Sequence, residues 1–354
     1  MSIYESKIWN SDINEVLKGL PELSVLDGKS VFITGSTGLI CSALVDLLIF
    51  YNENNTAKIK IIAAGRSTEK IKARFAAYSE QDYFCCCRYD AKDSNFESGR
   101  NCEADFIIHG ASNASPNKII KEPVETMSSN YIGMLTLLEY AYRAKTKRVL
   151  YISSSEVYGR KDGIEPYHEN NYGYIDLLNS RNSYPVGKRA AETLCASFTD
   201  EFGVDTVIVR PGHIYGPTAS ETDNRVSSAW AYGAANGKDL IMKSDGKQLR
   251  SYVYCLDCAS AILTVLLKGE SKHAYNISNP ESVISIREMA EILAASAGVK
   301  LKTEIPSEAE KKAFNPMMNS SLDSSELQKL GWTGIFSAER GFEHTVRILR
   351  EKNI

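Results

Sequence analysis

The sequence predicts an α/β fold: a doubly wound parallel sheet with a smaller C-terminal domain. Three observations predict it. From residue 29 onward, short apolar runs alternate with helical stretches, the order that builds parallel strands joined by crossover helices. One run, Ser30 to Thr34, leads directly into a glycine-bearing turn and a helix, Gly35-Ser36-Thr37-Gly38-Leu39-Ile40-Cys41. The chain of 354 residues, 43% of them hydrophobic, can bury a large core, and its length favours two domains.

Taken in order, residues 1–28 form an N-terminal extension whose amphipathic stretch, Ile13 to Leu20, is expected to pack as a helix on the outside of the body. The regular part reads as strand 30–34, helix 38–51, strand 58–64, helix 67–77, strand 83–89, strand 105–109, helix 123–144, strand 147–153, helix 184–202 and strand 205–210. Residues 29–214 and 251–278 are assigned to the sheet domain, and the turn-rich segments 215–250 and 279–354 to the smaller one. There is no internal repeat and no low-complexity tract.

Composition excludes several classes. A net charge of -3 argues against a nucleic-acid binder, which needs a basic surface to displace counterions. No apolar run approaches the roughly 18 residues of a membrane span. The start, Met1-Ser2-Ile3-Tyr4-Glu5, lacks the basic and apolar regions of a secretion signal. Eight cysteines, three of them adjacent (Cys85, Cys86, Cys87), make a poor disulfide framework and suit a reducing cytoplasm. Cys255-x-x-Cys258 has no second ligand pair, so buried thiols are expected there and no metal.

The Ser30–Cys41 stretch reads as a dinucleotide phosphate site. A strand that stops at a glycine turn aims the free N–H groups and the positive dipole end of the next helix at one spot, where a pyrophosphate can sit. Gly35 and Gly38 permit close backbone approach, while Cys41 stands where the usual third glycine packs helix on strand. At the end of the second strand, an acid would bind an adenosine 2'-hydroxyl and an arginine a 2'-phosphate. The chain has Gly65-Arg66-Ser67, which tilts toward NADP. Asp90, after the third strand, either accepts from the adenine amine or caps a turn.

Chemistry is expected in two later segments. Tyr184 and Lys188 lie four residues apart, on one face of a predicted helix. A tyrosine is a poor base at neutral pH, but a nearby cation lowers its pKa, and Lys188 is expected to do so together with the nicotinamide. Their partner is Tyr151-Ile152-Ser153-Ser154-Ser155-Glu156-Val157-Tyr158-Gly159, a buried strand that ends in three hydroxyls and a carboxylate at the edge where parallel sheets bind ligands.

Taken together, Thr34-Gly35-x-x-Gly38, His109-Gly110-Ala111-Ser112, the Ser153–Gly159 stretch, Tyr184-x-x-x-Lys188 and Arg210-Pro211-x-x-x-Tyr215-Gly216-Pro217 resemble the extended short-chain dehydrogenase/reductase family of nucleotide-sugar epimerases and dehydratases. The resemblance runs from about Gly28 to the C-terminus and includes Leu322-Asp323-Ser324-Ser325 and Leu330-Gly331-Trp332. It implies a Rossmann domain and a tightly held NAD or NADP that oxidises a sugar hydroxyl and is reduced and reoxidised within one turnover. Tyr184 would be the base, Lys188 its support and Ser154 the group polarising the reacting oxygen. The cofactor would be held by Gly35, Ser36, Thr37, Gly38, Leu39, Ile40, Arg66, Asp90, Ala91, Ala111, Ser112, Tyr184, Lys188 and Pro211. Assembly would be a homodimer through helices 123–144 and 184–202, with Leu135, Leu138 and Tyr142 at helical spacing.

Within that family the chain most resembles the UDP-glucuronate decarboxylases. His109-Gly110-Ala111-Ser112-Asn113-Ala114-Ser115-Pro116 and Arg181-x-x-Tyr184-x-x-x-Lys188-Arg189 carry the likeness, and Ser154-Ser155-Glu156 stands for the family's Thr-Ser-Glu. A 4,6-dehydratase would have an aspartate in place of Ser155, and a 4-epimerase has no need of Glu156. The resemblance adds Ser155 and Glu156 to the catalytic set and assigns the substrate to Ser115, Glu156, Arg181, His213, Arg225 and Arg250. His213 replaces an asparagine, and Met242-Lys243 stands where an aromatic lines the base pocket, so a GDP-, CDP- or dTDP-sugar competes with a UDP-sugar. Epimerisation and dehydration stay open as alternatives. So does a reading of another class, a binding protein that senses NAD(P) without turnover.

Overall fold

The computed structural model describes residues 2–94, 96, 103–161, 163–305 and 318–352. The chain runs through α1 (Lys7–Lys18), β1 (Ser30–Thr34), α2 (Leu39–Asn54), β2 (Lys60–Gly65), α3 (Thr68–Arg74), β3 (Phe84–Arg88), β4 (Phe106–His109), α4 (Pro116–Lys121) and α5 (Pro123–Ala144). It continues with β5 (Arg148–Ile152), α6 (Ser183–Phe202), β6 (Thr206–Pro211), β7 (His213–Tyr215), α7 (Val226–Ala235), β8 (Leu240–Met242) and β9 (Leu249–Tyr254). Then come α8 (Cys255–Lys268), β10 (His273–Ile277), β11 (Val283–Ser285), α9 (Ile286–Ala297), β12 (Leu301–Thr303) and β13 (Asn319–Ser320), with a long helix, Ala338–Lys352, near the C-terminus.

Seven strands form one sheet in the order β3-β2-β1-β4-β5-β6-β10, and every neighbouring pair is parallel. The strands are apolar on both sides because both faces are covered. Val31, Ile33, Ile61, Leu150 and Val209 belong to the core that includes α2 and α8, while Phe32, Ile62, Ile107, Val149 and Ile208 belong to the core that includes α5 and α6. The doubly wound α/β fold predicted from the sequence is therefore the one observed. β1 and β4 are neighbours although β2 and β3 lie between them in the chain, so their carboxyl ends flank the point where the winding reverses.

A second, smaller group of strands lies after β6. β9 pairs with β7 and β13 in parallel and with β11 antiparallel, and β8 pairs with β12. The N-terminal extension folds as expected into a helix, longer and earlier than Ile13 to Leu20, with Trp9, Ile13 and Val16 buried. Buried Asp12 accepts from Tyr254 Oη at 3.1 Å and meets His344 Nδ1 at 3.0 Å, which ties α1 to β9 and to the helix near the C-terminus.

Two expectations need correction. The helix expected over 67–77 stops at Arg74, because Phe75 turns fully into the core and the Arg74 guanidinium reaches Asp46 at 2.6 Å and Tyr4 at 2.9 Å. On α5, Leu138 does not belong to the free face, since it is wholly buried. The exposed apolar row consists of Val124, Met127, Tyr131 and Tyr142, with Leu135 half-buried between them.

Cys41 at the third-glycine position is accommodated by another glycine. A Cβ on Gly110 would lie 2.4 Å from Cys41 Sγ and 3.1 Å from Ile152 Cδ1, so the thiol fills the volume that Gly110 leaves empty. Gly110→Ala is therefore expected to destabilise the chain by roughly 1–3 kcal/mol through overpacking. The same change in a Cys41→Ala background should cost clearly less. Equal costs in the two backgrounds, read from chemical denaturation midpoints, would show that the two residues do not share this space.

Candidate active site

The site begins with a clip between two loops. Thr34 Oγ1, at the end of β1, accepts from the backbone N–H groups of Gly110 and Ala111, each at 3.1 Å, and lies 2.8 Å from His109 Nδ1. With both lone pairs used, the hydroxyl donates its own proton to Nδ1. Burial, and then the Lys188 charge, pull the His109 pKa down to about 3, so the ring is neutral and suited to accept. It stacks on Tyr151 with ring centroids 5.7 Å apart. The clip draws the loops so close that a Cβ on Gly35, which has a φ of +68°, would lie 3.0 Å from the backbone of Gly110 and Ala111.

This arrangement fits a dinucleotide pyrophosphate. α2 starts at Gly38 without a side-chain cap, and its first inward bond is Ser42 N–H to Gly38 O at 2.9 Å, so the N–H groups of Leu39, Ile40 and Cys41 face out of the turn. Thr37 and Gly38 are exposed beside them. Ser36 is placed differently from the expectation. It is buried, and both its N–H and its hydroxyl donate to Ala64 O at 3.2 Å, so it braces the turn against β2. Arg66 is exposed at the end of β2 and lies near Glu125, which pairs with Lys92 at 2.9 Å. Asp90 Oδ1 accepts from Lys92 N–H at 3.1 Å, the turn-capping alternative, and Ala91 is buried where α5 passes at Gly133. Ser112 donates to Asn130 of α5 at 3.0 Å, beside half-buried Ala111, and Pro211 closes β6, buried.

At the carboxyl end of β5, Ser154 caps a short 3-10 turn, Ser155–Tyr158, by accepting from Glu156 N–H at 3.2 Å. α6 brings Tyr184 against this turn. Burial, and then the negative charge of Glu156, push the Tyr184 phenol up to about 12, while Ser154, Arg225 and Arg181 pull it down. Lys188 lies within reach of this ring but is bonded elsewhere. Its ammonium donates to Ile152 O at 2.7 Å, lies 4.6 Å above the Tyr151 ring and 5.8 Å from the Tyr184 ring centre, and burial lowers its own pKa to about 7. In the chain alone, desolvation outweighs the cation's pull on the phenol.

The residues expected on the substrate side fall into three places. Glu156 and Arg181 form a two-bond ion pair at 2.9 and 3.2 Å. Arg225 is held by Asp223 through bonds of 3.0 Å from Nε to each carboxylate oxygen, and neighbouring Asn224 accepts from Ser115 at 3.1 Å. Arg250, on β9, is 4% exposed, donates to Leu249 O at 2.7 Å, and has no carboxylate partner among the described residues. His213 feels both arginines: burial first, then Arg250 and Arg225, lower its pKa to about 3. Half-buried Ser155 opens the turn next to Glu156.

Sequence reasoning assigned no part to Thr34, Tyr151, Asn130 or Asp223. Thr34 and Tyr151 stand inside the motifs that were read, but their partners are distant in the chain. Asp223 and Asn130 carry no sequence signal beyond proximity to Arg225 and a place on α5.

A lysine whose folded pKa of about 7 lies below its unfolded value of 10.5 leaves the folded state with fewer bound protons than the unfolded chain between those two values. Stability then rises with pH across that window and is lost as pH falls through 7. Relative to Lys188→Met, the parent should gain up to about 1.4 kcal/mol per pH unit between pH 7 and 10. Parallel stability curves for the two proteins would contradict this.

Comparison with known proteins places this geometry. The model of the NAD dependent epimerase/dehydratase family matches residues 31–278. The chain is 33% identical over 250 residues to UDP-glucuronic acid decarboxylase 6 of Arabidopsis thaliana, covering 71% of this chain and 69% of that protein. It is 28% identical over 332 residues to UDP-glucuronic acid decarboxylase 1 of Xenopus tropicalis, covering 93% and 74%. In fold it is similar to the UDP-glucose 4-epimerase of Thermotoga maritima, with a TM-score of 0.76 at 22% identity over 92% of this chain and all (100%) of that one. With the motifs, the parallel sheet and the match over most of its length in agreement, the chain belongs to the NAD-dependent epimerase/dehydratase family.

Proposed function

We propose that this protein modifies a nucleotide-linked sugar by transient oxidation at C4, and that it acts as a UDP-glucuronate decarboxylase. The observation that carries this is the meeting of the Tyr184 phenol with Ser154 and the Glu156–Arg181 pair at the carboxyl end of β5. The likeness to decarboxylases of that name over most of the chain supports it.

An oxidised nicotinamide, when bound, supplies a hydride acceptor for C4–H and a positive charge beside the phenol. The protein residues do the rest. Ser154 orients the C4 oxygen and Tyr184 takes its proton, a role for which a pKa of about 12 must first be brought down. A ketone at C4 makes a C6 carboxylate a β-keto acid. The C5–C6 bond then breaks, carbon dioxide leaves, and the electron pair passes into the enolate whose oxygen Ser154 and Tyr184 hold. Glu156 and Ser155 are the groups for handling the proton returned to C5. Arg250, a buried cation without a carboxylate partner among the described residues, suits the substrate's pyrophosphate or its carboxylate, with His213 and Arg225 beside it. We place Arg225 and Arg250 on the smaller domain, 215–250 and 279–354, and His213 at the end of the sheet-domain segment 29–214. The exposed Arg66 supports NADP, whereas the family description supports NAD.

The test is a mass-spectrometric screen of UDP-, dTDP-, GDP- and CDP-sugars with NAD and with NADP. UDP-glucuronate should lose carbon dioxide, and Tyr184→Phe should slow this by roughly two to four powers of ten. Conversion of neutral sugars alone would remove the decarboxylase assignment, and Tyr184→Phe turnover within about threefold of the parent would remove the base.

The exposed row on α5 and Phe202, 42% exposed at the end of α6, support a homodimer through the α5 and α6 faces. A Tyr131→Glu substitution should then shift the sedimenting species from dimer to monomer. A parent that sediments as a monomer at micromolar concentration would refute the dimer.

A further inference from the structure

The inference deepens the function proposed above and rests on it for the role of Tyr184. Arg181, expected from the sequence to contact substrate, has its guanidinium committed elsewhere. Nη1 and Nη2 donate to the two oxygens of Glu156 at 2.9 and 3.2 Å. Both partners sit in short, tied turns. Glu156 lies in the turn capped by Ser154, and the backbone N–H of Arg181 donates to Asn179 Oδ1 at 3.0 Å. Asn182, at the start of α6, bonds back to Asp176 O at 2.8 Å. The pair thereby spans from the strand end that carries Ser154 to the helix start that carries Tyr184.

We propose that Arg181 is a positioning residue that acts through Glu156: it holds the carboxylate in one orientation beside the Tyr184 phenol and offsets its negative charge there. The groups that bear on the phenol are Ser154 and Glu156 from the turn after β5, Tyr151 from β5, Arg181 from the turn before α6, Arg225 from the start of α7, and Lys188 one helical turn along α6. Glu156 is the acid among them, and left unpaired it opposes formation of a phenolate. The pair is 38% and 39% exposed, a setting in which ion pairs add little to folding.

The first test needs no turnover. The difference in absorbance between a protein and its Tyr184→Phe counterpart, followed through alkaline pH, isolates this phenolate from the other tyrosines. Relative to the parent, Glu156→Gln should bring the signal in about one pH unit lower, and Arg181→Gln should delay it by a similar amount. The double variant should return close to the parent, because a cancelled pair and no pair leave nearly the same net charge beside the ring. Superimposable titrations for parent and single variants would overturn the proposal.

The second test uses UDP-glucuronate and UDP-glucose. On whichever is converted, Arg181→Gln should lower kcat with KM nearly kept, Arg181→Lys should recover most of the rate, and Arg181→Gln should add little further loss to Glu156→Gln. A raised KM at unchanged kcat, additive with Glu156→Gln, would make Arg181 a substrate contact and overturn the proposal. If the parent converts neither sugar nucleotide, the proposed function fails, and the phenolate titration alone decides the role of Arg181.

Discussion

A single hydroxyl, Thr34 Oγ1, fixes the distance between the two loops on which the candidate site is built. It satisfies two N–H groups of the β4 loop and donates to a neutral, buried His109, so its bonding capacity is fully used inside the protein. The close approach this imposes explains two residues nearby. Gly35 must lack a side chain because the neighbouring backbone occupies that space, and Gly110 must lack one because Cys41 does. The open first turn of α2 is then held at the reversal of the sheet winding, where its N–H groups point to one location.

Around that fixed point the protein buries cationic and ionisable groups with few acids to match. Lys188 and Arg250 are 2% and 4% exposed, and each donates to a backbone carbonyl, with no salt bridge to an acid among the described residues. Buried Arg210 is the contrast. It holds Glu192 at 2.6 Å and Tyr158 at 3.0 Å and serves the fold, linking β6 to α6 and the turn after β5. Desolvating a cation is costly unless an anion meets it, which suits a site for a ligand that carries phosphates. Glu156, an acid at the catalytic end, is paired with Arg181, and burial is the main reason the free chain favours a protonated Tyr184 until positive charge arrives.

The fold was legible because its signals are local and repeated. Apolar strands such as Ile59–Ala64 and Val149–Ile152 and the glycine turn after β1 each report on a few consecutive residues, and the parallel sheet follows from their alternation with helices. Of the site, Tyr184, Ser154 and Glu156 were legible because two motifs bring them to one strand edge. What escaped was pairwise and long-range. Neither the Arg181 commitment to Glu156, 25 positions away, nor the partnership of Cys41 with Gly110 can be read from spacing. The pKa values of Tyr184 and Lys188 in the chain alone were illegible for a related reason, since the depth of burial that sets both is a property of the packed molecule.

The central claim is that C4 of a sugar gives up its hydrogen as hydride within this site and recovers it before product leaves. UDP-glucuronate carrying deuterium at C4, quenched during turnover and followed by mass spectrometry of the bound dinucleotide, tests it directly. The account predicts a reduced nicotinamide that carries the deuterium while turnover lasts, and product that has regained it at C4. Product formation with no deuterium ever found on the dinucleotide would contradict the account.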